Sequence, residues 1–162
     1  YGGVIMPEFD YTFKKQYDKS KHVRASIREV DISHKHAIEI CNAIKGMKLE
    51  KAKEYLEKVV AREMPVPFRS YHTKVGHRSE LKGKNAFPAG RYPVKAAREI
   101  LRLLANLEAN SEYKGMDLDR VTIIHACAYP GVKIRKFMPR AFGRGSARFN
   151  TLTHVELVAS EK

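Results

Sequence analysis

The sequence predicts an α+β fold in which a three-stranded antiparallel sheet packs on three helices and carries a long, extended β-hairpin arm. Residues 22–30, 119–133 and 148–158 alternate apolar and polar side chains, which is the pattern of strands with one buried face. Three other stretches place apolar residues at helical spacing, as helices that cover one face of a sheet do. The length of 162 residues fits one core, so we expect residues 1–162 to form a single domain.

The first two predicted helices follow the first strand. Ser33 is a typical N-cap, the apolar residues after it recur at helical spacing, and Gly46 is typical of the position after a helix C-terminus. Residues 49–60 place apolar side chains on one face and charges on the other. Pro93 suits the first position of a third helix, whose broad apolar stripe runs to about Asn110. We expect that helix to be central in the core.

Residues 64–92 lack a sustained period and form an irregular insertion between the second and third helices. Loops of this length are uncommon inside a compact domain, and those that occur are usually functional or disordered until bound. The sequence assigns no role to the cations Arg69, Lys74, Arg78, Lys82 and Lys84 of the insertion.

The segment between the last two strands carries the strongest functional signal. Residues 131–150 form the predicted arm, and from Arg120 to Val155 the chain has Lys and Arg but no Asp or Glu. At about 3.3 Å per residue, a hairpin from Gly131 to a turn near Arg140 extends about 30 Å, too far to fold back into the core. Repulsion among its cations destabilises the arm, and phosphate groups would reverse that effect. These cations are Lys133, Arg135, Lys136, Arg140, Arg144 and Arg148.

The overall charge indicates a polyanionic partner. The net charge is +13, and Phe137, Phe142 and Phe149 in the arm can stack on bases or riboses, so we favour nucleic acid. We expect no membrane partner, because no apolar run approaches about 18 residues and no long amphipathic helix concentrates cations opposite large apolar side chains.

Two features favour a cytoplasmic location. Cys41 and Cys127 are isolated thiols without CxxC spacing, so we expect a reducing compartment. The opening residues YGGVIMPEF lack the charged-then-apolar order of a signal peptide, so we expect no export.

Motifs of enzymes and cofactor sites fit poorly. GHRSELKGK has six residues between its glycines and Asn after its last Lys, so it fails the phosphate-loop pattern, and GRGSAR lacks the third glycine of a dinucleotide site. His125 and His154 are expected to face each other across the last two strands, in a hydrogen-bonded or RNA-facing role rather than a catalytic one. We predict no catalytic residue, no metal site and no cofactor.

The arm resembles the hairpin of a known family. MPRAFGRG at 138–145, preceded by GVKIRK and followed by THVELV at 153–158, is similar to the universal large-subunit ribosomal protein family numbered twenty-two in the bacterial series. The stretches DISHKHA, IKGMKLEKAKEYL and LANLEAN agree with the same family. The resemblance covers residues 24–158, and the insertion at 64–92 resembles the archaeal and eukaryotic branch.

The resemblance implies a structural, non-enzymatic constituent of the large ribosomal subunit in the cytoplasm. It implies rRNA and neighbouring ribosomal proteins as partners, with an arm that helps to form the wall of the peptide exit tunnel and a tip near the nascent peptide. The implied RNA-binding residues are Arg24, Lys35, Lys133, Arg135, Lys136, Arg140, Arg144 and Arg148. The implied tunnel-lining residues are Met138, Pro139, Arg140, Ala141 and Phe142.

An architectural DNA-binding protein with a basic β-arm is the alternative. In such proteins a proline at the end of the arm, here Pro139, wedges between base steps and bends the duplex. They need a dimer to present two arms, and the sequence has no evident dimer helix beyond those that its own core uses. A small RNA-modifying enzyme is a third reading, and it lacks a catalytic constellation.

Overall fold

The computed structural model describes residues 11–13, 17–82 and 87–161, and its elements confirm the predicted α+β class with three helices and a three-stranded antiparallel sheet. The opening residues 1–10 and Lys84 lie outside the described part. The elements in chain order are β1 His22–Val30, α1 His34–Ile44, α2 Leu49–Val60, β2 Val66–Pro67, β3 Gly90–Arg91, α3 Val94–Tyr113, β4 Val121–Ile134, β5 Phe137–Pro139, β6 Gly145–Ala147 and β7 Asn150–Glu161.

The last long strand, β7, lies at the centre of the main sheet. The strand order is β1-β7-β4, and both neighbours pair with β7 in antiparallel register. Leu157 lies opposite Ala25 on one side and Ala126 on the other. Because side chains alternate along a strand, Val155, Leu157 and Ala159 of β7 all face the helices and are fully buried.

Strand β7 is longer than its sequence pattern predicts. The alternation indicates an end at residue 158, whereas pairing continues to Glu161, which lies opposite Val121. The extra residues belong to the strand because both neighbouring strands still offer backbone hydrogen-bond partners there, with Ser160 opposite His22 of β1.

The three helices cover one face of this sheet with a continuous apolar core. Ile40 and Ile44 of α1, Leu56 of α2, and Ile100 and Leu104 of α3 are all completely buried. Burial of each such side chain contributes about 1.5–3 kcal/mol relative to exposure. The helices therefore hold the sheet mainly through this shared apolar contact.

Helix α3 runs to Tyr113, beyond the predicted end near Asn110. Ser111 is a polar residue beyond that predicted end, yet it is fully buried and its hydroxyl donates to the Leu107 carbonyl at 2.8 Å. A hydroxyl that is satisfied inside the helix removes the cost of burying a polar group, so the helix continues.

The second face of the sheet is covered by residues near the start of the chain, which the sequence did not indicate. Thr12 donates from its backbone N–H and its hydroxyl to Oε2 of Glu156, at 3.1 and 2.8 Å. Phe13 packs against His125 with 5.3 Å between ring centroids. Val158, on this same face of β7, is completely buried. Both faces of the central strand are therefore shielded from solvent.

The insertion is tied to α1 through a buried carboxylate. Glu39 is completely buried, and its two oxygens accept backbone N–H groups of Arg69 at 3.0 Å, Ser70 at 2.8 Å and Tyr71 at 2.7 Å. The short strands β2 and β3 pair with each other, so the insertion returns to the point where it left the core. The loop that follows Phe68 is thus held in one position by α1 itself.

Replacing Glu39 by Ala should lower the free energy of unfolding by about 3 kcal/mol, because three N–H groups lose a charged acceptor. Urea unfolding should show a lower midpoint with an unchanged m-value. Exposed Glu54 on α2 is the matched control, and its change to Ala should stay within about 0.5 kcal/mol. Equal effects of the two changes would contradict a stabilising role of the Glu39 hydrogen bonds to the insertion.

Candidate nucleic-acid interface

The strands β4 and β7 continue past the sheet into the predicted arm, residues 131–150. After a register shift between Pro130 and Lys133, the two strands still pair as far as Ile134 opposite Asn150. Beyond them β5 pairs with β6, and the backbone N–H of Arg148 donates to the Lys136 carbonyl at 2.6 Å between the two ladders. The arm is a two-stranded ribbon in the described structure, and its reach of about 30 Å stays a prediction.

The tip of the arm, Met138–Phe142, ends in a tight turn. The N–H of Arg140 donates to the Arg144 carbonyl at 2.8 Å. Phe142 has φ +57, a left-handed conformation that costs a non-glycine residue about 1–3 kcal/mol. Its side chain is 97% exposed. The turn therefore presents an aromatic ring to the surroundings of the protein instead of packing it.

The cations of the arm are exposed, and none of them forms an ion pair with a described residue. Within the described part of the chain, none of them lies within 4.0 Å of a carboxylate oxygen, since the ion pairs there are made by other residues. Phe137 and Phe149 lie among them with 72% and 54% of their surface exposed. The structure thus brings together the six predicted cations, which are Lys133, Arg135, Lys136, Arg140, Arg144 and Arg148.

The carboxylate at the base of the arm already accepts hydrogen bonds from other residues of the protein. Asp31, which follows β1, accepts from Lys95 Nζ at 2.7 Å and from Asn150 Nδ2 at 2.9 Å. The hydrogen bond from Lys95, followed by that from Asn150, lowers the pKa of Asp31. A cleft of about 660 Å³ lies between this carboxylate and the arm residues Lys136 and Arg148. The Asn150 contact ties the start of β7 to the turn before α1.

The two predicted cations outside the arm lie in different places. Lys35 is exposed in the first turn of α1, with its Nζ 5.6 Å from the ring centroid of Tyr71. Arg24 lies on the other side of the sheet, with its guanidinium 4.6 Å from the Tyr11 ring and 4.7 Å from the Tyr17 ring. Arg24 pairs opposite Val158, toward the end of the sheet that is remote from the arm. Lys35 therefore lies at the start of α1, on the helical side of the sheet, whereas Arg24 lies on the opposite side and far from the arm.

The expectation that His125 and His154 face each other is wrong. His125 lies opposite Val158, and His154 lies opposite Tyr129, so the register of β4 against β7 sets the two histidines four positions apart along the strand pair. His154 accepts a hydrogen bond from the N–H of Glu29 at 3.1 Å through Nδ1. Its role is therefore structural, because this bond links β7 to β1.

His125 lies under Phe13, and no described residue bonds its buried Nε2. Burial, followed by the positive charge of Lys45, lowers the pKa of His125, so it is neutral at pH 7.

Across the described ranges, no cluster of three His, Cys, Asp or Glu could hold a metal ion. In those ranges no helix is long and apolar enough to cross a membrane.

Arg91 is a cation that the sequence reasoning missed. It lies in β3 at the end of the insertion, and its Nη2 donates to the Lys74 carbonyl at 3.5 Å. Together with Lys35 it lines a second cleft of about 290 Å³. The sequence carries no signal for this pairing, because Lys35 and Arg91 are brought together only when the insertion docks on α1.

Comparison with known proteins places these features in a family. Residues 25–160 match the family described as ribosomal protein L22p/L17e. The chain is 53% identical to "Large ribosomal subunit protein uL22" of Cenarchaeum symbiosum over 96% of this chain and 99% of that protein. It is 51% identical to the protein of that name from Nitrosopumilus maritimus, with the same coverage, and 46% identical to that from Methanocaldococcus jannaschii over 98% of each chain. The chain belongs to the ribosomal protein L22p/L17e family.

Proposed function

We propose that this chain is a structural, non-enzymatic constituent of the large ribosomal subunit in the cytoplasm, where its arm binds large-subunit rRNA. The observation that carries the proposal is the arm itself, an exposed two-stranded ribbon with six cations and no acid. Relatives named for the large subunit match the chain over nearly its full length and support the assembly. The same matches favour rRNA over the duplex DNA of the architectural alternative.

The electrostatics of the arm explain why it needs RNA. A two-stranded ribbon is only marginally stable in water, and the repulsion among its cations destabilises it further. Phosphate groups remove that repulsion, and guanidinium groups such as those of Arg135 and Arg144 bind them in a bidentate way. Exposed Phe137 and Phe149 add surfaces on which bases or riboses can stack. Binding to RNA therefore stabilises the arm.

The tip and the shaft of the arm have different tasks in this proposal. The shaft carries cations at 133–136 and 144–148, whereas the tip Met138–Phe142 has a single charge, Arg140. A proline-stiffened, apolar tip binds phosphate poorly and suits the lining of a passage. We assign the tip to the wall of the peptide exit tunnel, next to the nascent peptide, and neighbouring ribosomal proteins to the globular part.

In the isolated protein, backbone amides of the arm should exchange with solvent much faster than those of the core, because only a two-stranded ladder protects them. Hydrogen exchange followed by mass spectrometry or NMR measures this directly. Amides of Ile123 and Leu157 in the core serve as the protected reference. Strong protection at Phe137, Phe142 and Phe149 without RNA would contradict the expectation.

Changing Arg135, Lys136, Arg144 and Arg148 together to Gln should flatten the salt dependence of rRNA binding. Each phosphate contact contributes about 0.7 to 0.9 to the slope of log affinity against log salt, so the loss is about three. The matched control changes four exposed cations of the helical side, Lys48, Lys51, Lys58 and Arg98, to Gln. If the slope falls equally in both variants, the arm is not the specific binding site for rRNA.

Deleting Met138–Phe142 should leave incorporation into large subunits nearly intact. The deletion keeps the Phe137–Ala147 pair of the ladder and closes it with a four-residue loop. Stalling by tunnel-sensing nascent chains should change, because the deleted residues line the passage. Sucrose gradients measure incorporation, and a stalling reporter measures the passage of the nascent chain. The shaft variant with four Gln should show the reverse, because it should impair incorporation first. Loss of incorporation with normal stalling in the remaining ribosomes would overturn the assignment.

A further inference from the structure

We propose that the cleft between the first turn of α1 and the insertion is a second RNA-binding site, which holds a backbone phosphate between Lys35 and Arg91. This inference deepens the proposed function and rests on it for the choice of RNA as the partner. We call the site the insertion cleft. The residues that line it include Lys35, His36, Ser70, Tyr71, Thr73 and Arg91.

The chemistry of the insertion cleft suits an anion. None of its lining residues is acidic, and Lys35 and Arg91 contribute two positive charges. Neither cation lies within 4.0 Å of a carboxylate oxygen in the described ranges. Ser70 and Thr73, whose side chains are hydroxyl donors, also line the cleft. Two unneutralised cations and neighbouring hydroxyl donors form the contact set that phosphate oxygens accept.

His36 adds no positive charge to the insertion cleft, whose charge comes from Lys35 and Arg91. Burial, followed by the positive charge of Arg91, lowers the pKa of His36, so the imidazole is neutral at pH 7. Its ring packs edge-on against buried Phe68, with 5.3 Å between the centroids. His36 is therefore part of the floor of the cleft and not a third cation.

The insertion cleft is preorganised by the protein itself. The carboxylate of Glu39, on α1, accepts the three consecutive N–H groups of residues 69–71, and Ser70 and Tyr71 of this loop line the cleft. The Nη2 of Arg91 lies 3.5 Å from the Lys74 carbonyl, which is also part of the insertion. A site whose walls are already ordered loses less conformational entropy on binding, which favours a specific contact over a diffuse one.

The position of the insertion cleft favours RNA as the occupant. A shallow depression lined by Asp31, Ser33 and Asn150 joins the base of the arm to the start of α1, and Ser33 also lines the cleft. An RNA strand bound along the arm can therefore continue into the cleft. Tyr71 at its edge is 36% exposed and offers a ring on which a base or ribose can stack.

The test compares three variants of the full chain in binding to purified large-subunit rRNA. Lys35→Gln with Arg91→Gln should lower the salt slope by about 0.7 to 0.9, the contribution of one phosphate contact. Lys51→Gln with Lys58→Gln removes the same charge from the outer face of α2 and should leave the slope unchanged. Ultraviolet crosslinking followed by mass spectrometry should find a nucleotide on Tyr71 in the unaltered chain and lose it in the Lys35/Arg91 variant.

The four-Gln shaft variant separates failure of this inference from failure of the proposed function. If the shaft variant loses its slope while the Lys35/Arg91 variant does not, and Tyr71 carries no nucleotide, the insertion cleft is not an RNA site and the arm still is. If neither variant changes the slope, RNA binding by the arm fails as well. In assembled subunits, a crosslink from Tyr71 to another protein in place of a nucleotide would also overturn the inference. Circular dichroism of each variant checks that the fold is retained.

Discussion

The pairing of β4 with β7 is the interaction on which the rest of the structure depends. Strand β7 is central in the sheet, β4 pairs along its side, and the same two strands continue into the base of the arm. The surroundings of these two strands change where β1 ends, at Val30 opposite Thr153. Up to that point a third strand and the helices cover the ladder, so Val155 is completely buried. Beyond it no described strand joins the pair, and Val132 and Ile134 are exposed. The core therefore anchors the arm, and the length of β1 decides where the arm begins.

Acidic residues are used inside this protein and are excluded from the arm. Glu39 binds the backbone of the insertion, and Glu156 binds the backbone and hydroxyl of Thr12. Each carboxylate satisfies groups of a segment that has little regular structure of its own, and each is almost fully buried. Such contacts fix the irregular parts without reducing the positive charge of the arm. A basic surface and an ordered fold are thereby compatible in a chain with a net charge of +13.

The two proposed RNA-facing sites differ in how they are held. The arm depends on a two-stranded ladder with the Asp31–Asn150 contact at its base. The insertion cleft lies between α1 and a loop that a buried carboxylate of the same helix holds. The first is suited to adapt to its partner and the second to receive it with little change. A protein that uses both can be guided by one surface and oriented by the other.

The sequence by itself determined the number, type and approximate bounds of the main elements, together with the acid-free arm. These follow from period and composition, which act within one segment: the predicted limits of α1 and α2 agree with the structure, since Ser33, Gly46 and the apolar faces are local signals. Only the tertiary structure decided which residues meet across the chain. The separation of His125 from His154, the Thr12 contact with Glu156, and the approach of Arg91 to the start of α1 all depend on strand register and docking. Local periodicity carries no information on such contacts, because their energy arises only when distant segments pack together.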